Sequence, residues 1–137
     1  MPGTWVLYTD GASRGNPGPA SIGAVLYRWV EGEPLIEVDR VSEAIGHATN
    51  NVAEYKAVIA GLSMALAHEP ELLWLRADSQ LLIRQLEGRY RVKSPALQAL
   101  YQEARAHLRK IPHRLEHVPR EENAVADLLA NLALDRG

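Results

Sequence analysis

The chain of 137 residues contains no cysteine, which excludes disulfide staples and thiolate-ligated metal sites together. This is the cysteine usage expected of a protein that works in a reducing cytoplasm. No apolar run approaches the roughly 20 residues needed to cross a bilayer. Residues 1–10 (MPGTWVLYTD) lack the basic start and cleavage site of a secretory signal, so no membrane association is expected. An excess of positive charge is missing too: fifteen Lys and Arg against seventeen Asp and Glu give a net charge of -2. A protein held to nucleic acid by bulk charge is normally basic, so any such contact here is expected to be local or metal-assisted. There is no linker, repeat or low-complexity stretch; proline and glycine punctuate periodic segments. What is there is 47% hydrophobic and 23% charged, globular in composition, and of a length suited to one domain over 1–137.

Periodicity divides the chain into two parts. Residues 4–9 (TWVLYT) favour a strand that breaks at Asp10-Gly11, and SRGNPGP reads as a loop. A second strand is expected over 21–30, a turn over 31–34 and a third strand over 35–42, together an antiparallel meander. The period then changes. After Thr49-Asn50-Asn51 a helix runs to about residue 67, with Val58, Gly61, Leu62 and Ala65 on one face. Residues 71–77 (ELLWLRA) form a fourth strand, and Asp78-Ser79 opens a short helix ending near Gly88. Ser94-Pro95 starts another, because Ser caps free amides and Pro has none to offer in the first turn. Behind it Leu97, Leu100, Tyr101, Ala104 and Leu108 recur at helical spacing until Pro112; residues 114–118 form a fifth strand and 122–134 a closing helix. The order βββαβααβα places the chain in the α/β (mixed α+β) class, one mixed sheet with helices packed on its faces.

Four acids fall at the ends of these elements. Asp10 ends the first strand and Asp78 the fourth; Glu54 lies in the first turn of the first long helix and Asp127 in the first turns of the last. Each has an ordinary explanation. Asp10-Gly11 is a common hairpin pair, although the next strand begins about ten residues later, too far for a two-residue hairpin. Glu54 can close a capping box with Asn51, yet it shares a face with Val58, Gly61, Leu62 and Ala65, which turns its carboxylate toward the sheet. Asp78 can cap the helix that follows, and Asp127 can be a solvated helix residue. Strand ends and helix starts also meet at one edge of a sheet. Four carboxylates gathered there raise one another's pKa unless a cation sits among them. Hard divalent ions with oxygen ligands match, Mg²⁺ in particular. A pair of such ions can activate a water and stabilise the leaving oxygen of an in-line displacement at phosphorus. Spacing alone does not bring the acids together.

YTDGASRGNPGPASIGAVLY, TNNVAEYKAVIAGL, ADSQLLIRQL and HVPREENAVADLLANLAL resemble, in order, the segments of the type 1 ribonuclease H family, over nearly the whole chain. The resemblance implies the ribonuclease H-like fold, a five-stranded mixed sheet with antiparallel first strands. It also implies an endoribonuclease that uses Mg²⁺ or Mn²⁺, two ions per site with substrate bound. Such an enzyme cuts the RNA strand of an RNA/DNA hybrid and leaves 3′-hydroxyl and 5′-phosphate ends. Carried over by motif, Asp10, Glu54, Asp78 and Asp127 are the metal-binding, catalytic acids. Gly11, Ser13, Asn16, Asn50, Asn51 and Gln80 match family positions that contact the hybrid. Short amides and backbone N–H groups suit 2′-hydroxyls and base edges in the shallow minor groove of an A-like duplex. Capping by Asn50 or Asn51, and a turn-forming role for Gly11 and Gly15, are the plainer readings.

Two departures from the family pattern matter. Many bacterial members carry an extra basic helix and loop; here EGRYRVKSPAL follows the short helix directly. Arg84, Arg89, Arg91 and Lys93, with Tyr90 among them, are either a reduced substitute that holds the DNA strand's phosphates or a solvated charge run. Where many relatives place a mobile His that assists proton transfer or product release, this chain has a short VPREEN loop. Arg120 sits roughly there, a candidate phosphate or product contact, while His117 falls in the fifth strand and reads as a packing residue. Two competing functions share the fold: a nuclease for double-stranded RNA or for DNA ends and junctions, and a hybrid-binding module without catalysis. The second should have lost at least one acid, and all four are present. No leftover amphipathic stripe asks for a partner, so a monomer is expected.

Overall fold

A computed structural model describes residues 3–136. β1 (Thr4–Ser13) and β2 (Gly18–Trp29) form a hairpin in unbroken register, from Thr4 opposite Trp29 to Ser13 opposite Ala20. The first strand therefore does not stop at Asp10. It runs on to Ser13, only residues 14–17 make the turn, and Asp10 pairs with Gly23 inside the ladder. Ladder pairing overrides the weak strand preference of Gly11 and Gly23. β3 (Ile36–Ala48) lies antiparallel to β2, with register shifts at Ala20/Ser21 and Leu26/Tyr27. After α1 (Asn50–Leu66), β4 (Leu72–Ala77) enters the sheet parallel to β1. α2 (Gln80–Leu86) and α3 (Pro95–Leu108) follow, then β5 (His113–His117) parallel to β4. A 3-10 turn (Arg120–Asn123) takes the place of the expected short loop and leads into α4 (Ala124–Arg136). The sheet order is β3-β2-β1-β4-β5, the five-stranded mixed sheet expected from the sequence.

The helices divide between the two faces. Trp5, Leu7, Ala24 and Leu26 of the sheet pack on Tyr55, Val58 and Leu62 of α1 and on Ala104 and Leu108 of α3. Gly23 alternates with Ala24 and looks the other way, onto α4, where a Cβ would overlap the Ala126 carbonyl oxygen. Two hydroxyls tie that helix down: Ser21 Oγ donates to the Ala130 carbonyl and Ser42 Oγ to the Leu129 carbonyl, both at 2.6 Å. Among the described residues no helix is long and apolar enough to cross a membrane.

Helix starts are capped by hydroxyl side chains. Thr49 Oγ1 accepts from the Val52 amide at 3.3 Å, Ser79 Oγ from Leu82 at 3.2 Å and Ser94 Oγ from Leu97 at 3.4 Å. Pro95 occupies the first turn of α3, as its sequence position suggested. The capping roles considered for Asn50, Asn51 and Asp78 thus belong to Thr49 and Ser79, one or two residues away. This leaves the carboxylates of Glu54 and Asp78 free of the task of capping.

Candidate active site

β1 and β4 are parallel neighbours, so they deliver Asp10 and Asp78 to the same end of the sheet. Glu54 arrives from the other direction. A Cβ at Gly11 would overlap the backbone of Ala53 and Glu54, so only glycine lets the first turn of α1 sit this close to β1. Gly11 is a strand residue at a close approach, and the turn-forming role is corrected on that ground. One carboxylate oxygen each of Asp10, Glu54 and Asp78 lies within 4.8 Å of the others. Asp127, in the first turn of α4, lines the same cavity of about 360 Å³ and hydrogen-bonds the Asp10 carboxyl.

Crowding and burial move the protons. Burial, reinforced by the charges of Asp78 and Asp127, the hydrogen bond to Asp127 and the charge of Glu54, pushes Asp10 from 3.8 up to about 8. Burial and the Asp78 charge push Glu54 from 4.5 up to about 7, against an opposing hydrogen bond from Ser79. Asp78 is raised by burial and by Asp127, while a hydrogen bond from Asn123 and the Arg120 charge work the other way. Without added positive charge these carboxyls cannot all be ionised at neutral pH. A donor set made wholly of carboxylate oxygens suits a hard divalent cation and not a soft one.

The remaining sequence candidates fall into three groups. Gly11, Ser13, Asn50 and Arg120 border the cavity. Ser13 Oγ also donates to the Ala48 carbonyl at 2.7 Å, tying the end of β1 to the end of β3. Asn16 and Asn51 sit beside it: Asn16 Oδ1 accepts from the Asn50 amide at 2.9 Å, and Asn51 shares a shallow cleft with Glu54 and Ser79. Gln80, at the start of α2, and Lys93, between α2 and α3, are exposed and do not line the cavity. The packing role expected of His117 is wrong. His117 is the exposed last residue of the edge strand, and the buried position is the next one, Val118.

Two asparagines were missed. Asn123, 1% exposed, donates Nδ2 to the Thr9 carbonyl at 2.9 Å, tying the 3-10 turn to β1, and its amide favours the ionised form of the nearby Asp78. Asn131 donates to Asp127 Oδ1 at 3.2 Å. The signal for Asn131 was its spacing, four residues beyond Asp127 on one helix face; for Asn123 no local signal exists.

A family described as Reverse transcriptase-like matches residues 8–133. A Mycobacterium tuberculosis protein described as bifunctional is 45% identical over 133 residues, 95% of this chain and 35% of that protein. Its N-terminal RNase H domain, solved as a fusion with maltose-binding protein, superposes with a TM-score of 0.90 at 42% identity, covering 96% of this chain and 99% of that one. Ribonuclease HI of Halobacterium salinarum is 46% identical over 129 residues, 93% of this chain and 63% of that protein. The RNase H1 structure from that archaeon gives a TM-score of 0.90 at 44% identity and covers 98% and 99% of the two chains. LC11-RNase H1, solved in complex with an RNA/DNA hybrid, gives 0.88 at 37% identity, covering 96% and 97%. The chain spans about a third of the mycobacterial relative and under two thirds of the halobacterial one.

Proposed function

The chain belongs to the type 1 ribonuclease H family, and from that premise we propose that it hydrolyses the RNA strand of RNA/DNA hybrids. The products carry 3′-hydroxyl and 5′-phosphate ends. The observation that carries this reading is the meeting of Asp10, Glu54 and Asp78 within 4.8 Å at one end of the sheet. With Asp127 they would hold two Mg²⁺ or Mn²⁺ ions. Such ions supply an activated water and charge stabilisation for displacement at phosphorus.

The chain's own residues prepare that place. Asp10 and Glu54 hold part of their protons near neutrality, and a bound cation would displace them, so metal uptake and proton release are linked. Asn123 holds Asp78, and Asn131 holds Asp127, each fixing a carboxylate rotamer before substrate arrives. Arg120 is the cation on the cavity rim and serves as a phosphate or product contact. Gly11, Ser13 and Asn50 line the inner wall against the hybrid's minor groove, with Asn16, Asn51, Gln80 and Lys93 as outer contacts. The whole is read as a single domain acting as a monomer in the cytoplasm. The LC11 structure with its hybrid supports the choice of substrate.

Cleavage of a labelled hybrid with and without Mg²⁺, beside duplex RNA and duplex DNA at one salt concentration, tests this. The expected result is Mg²⁺-dependent cutting of the hybrid's RNA strand alone. A folded Asp10→Asn protein cutting at the wild-type rate would falsify the reading. Preferential cutting of duplex RNA or of DNA ends would keep the nuclease and replace its substrate.

A further inference from the structure

A basic stretch of the chain lies away from the acid-lined cavity, at the end of α2 and in the connection to α3. Arg84, Arg89, Arg91 and Lys93 face only Glu87 within ten residues, which leaves eleven basic against sixteen acidic residues elsewhere. Glu87 neutralises part of this, with Arg84 at 3.2 Å and Arg89 at 3.7 Å. The connection between α2 and α3 and the first turns of α3 line an open groove of about 720 Å³, twice the size of the cavity at the acids. Arg89, Tyr90 and Arg91 of the connection line it together with Gln98, Tyr101 and Gln102 of α3. Tyr90 is 53% exposed. Duplex phosphates need only cations on an open surface. A concavity with two phenol rings and two carboxamides suits a nucleobase, which can stack on the rings and hydrogen-bond at its edges.

This groove is held in register with the cavity. Gln85, 7% exposed, accepts the Tyr55 hydroxyl at 2.6 Å and donates Nε2 to the Arg91 carbonyl at 3.4 Å. Tyr55 directly follows Glu54. One buried carboxamide therefore bridges the helix that carries a cavity carboxylate and the backbone of the groove wall. Gln98 Nε2 pins the neighbouring Val92 carbonyl at 2.9 Å. α2, seven residues long, spans about 10 Å, so the two sites can lie along one strand of substrate.

We propose that the α2–α3 groove is a second nucleic-acid site that takes an unpaired nucleotide flanking the hybrid, its base against Tyr90 and Tyr101 and its phosphate on Arg89 and Arg91. It deepens the hybrid-hydrolase reading of the cavity and depends on it for the substrate's identity. Binding is measured by fluorescence anisotropy in EDTA, at one fixed salt concentration, so that no turnover is required. A blunt hybrid is compared with the same hybrid carrying a short unpaired extension, tried on each end of each strand.

An extension on at least one end should tighten binding by about tenfold, the scale of one stacked base. Tyr90→Ala should erase that gain, Tyr90→Phe should keep it, and an abasic extension should bind like the blunt hybrid. No gain in the wild type, full gain from the abasic extension, or equal weakening of both hybrids by Tyr90→Ala would each overturn the base site. The last of these outcomes would assign the groove to duplex phosphates. A wild type that favours the extended hybrid yet cuts none with Mg²⁺ would sink the hydrolase reading and leave the groove intact.

Discussion

Two neighbouring rows of the sheet handle buried charge in opposite ways. Tyr8 and Asp10 are two residues apart on β1 and face the same side. Beside Tyr8 stands Arg76 of β4, whose Nε donates to Glu116 Oε1 at 2.6 Å and whose Nη1 donates to the Tyr8 hydroxyl at 2.8 Å. Its guanidinium also lies 5.6 Å from the Tyr8 ring centre and 5.7 Å from that of Trp74. Every charge in that row has an opposite partner within the chain. Around Asp10 the partners are Asp78, Asp127 and Glu54, all of the same sign, and among the described residues the Arg120 charge near Asp78 is what offsets them. One row is complete as folded, whereas the other is completed by something from outside. An uncompensated cluster of like charge is the physical mark of a site, and a compensated one is the mark of structure.

The comparison is broken most sharply at Asp10. Asp10→Asn should lower hybrid cleavage by about a thousandfold or more, the scale of several kcal/mol of lost transition-state stabilisation. The same change should leave the metal-free melting temperature unchanged or raise it, because it relieves repulsion. A calorimetric scan showing marked destabilisation would mean the carboxylate is structural after all.

The next effect is on stability against pH. Asp10 and Glu54 have folded pKa values of about 8 and about 7, above their ordinary 3.8 and 4.5. Between these limits the folded protein binds protons that the unfolded chain has released. Their contribution to stability is therefore complete below about pH 4 and is lost progressively as pH rises, the loss ending as pH passes through 7 to 8. In EDTA the melting temperature should fall over that interval by several degrees, and in Mg²⁺ the fall should flatten. Parallel curves with and without Mg²⁺ would show that these carboxyls are not where the cation binds.

The smallest effect belongs to the balanced row. Arg76→Ala removes a half-buried partner of Glu116, itself 40% exposed at the side chain. Stability should drop by about 1–2 kcal/mol, less than for a fully buried pair. Turnover should stay within about twofold of wild type. A large loss of turnover with unchanged stability would erase the distinction between the two rows.

Much of the fold was legible because its signals are local. The change from alternating to helical period after Thr49, the Ser94-Pro95 start and the four acids all depend on neighbours in sequence. Where the local reading went astray, distant backbone was responsible. Asp10-Gly11 has the composition of a turn, yet β2 pairs with it residue for residue and carries the strand on to Ser13. His117 looked like a packing residue from its place in a strand, but β5 is an edge and His117 ends it exposed. Asn123 gave no sign of its role, since its partners Thr9 and Asp78 lie far off in the chain.

The sequence by itself determined the kinds of element, their order, the family pattern and the identity of the acids, because period, turn chemistry and motif are written in short windows. Tertiary structure alone decided that Asp10, Glu54 and Asp78 share a space. That outcome required β4 to enter parallel beside β1 and α1 to settle onto the bare backbone of Gly11. Proximity of charges is a property of the packed sheet, and no spacing along the chain encodes it.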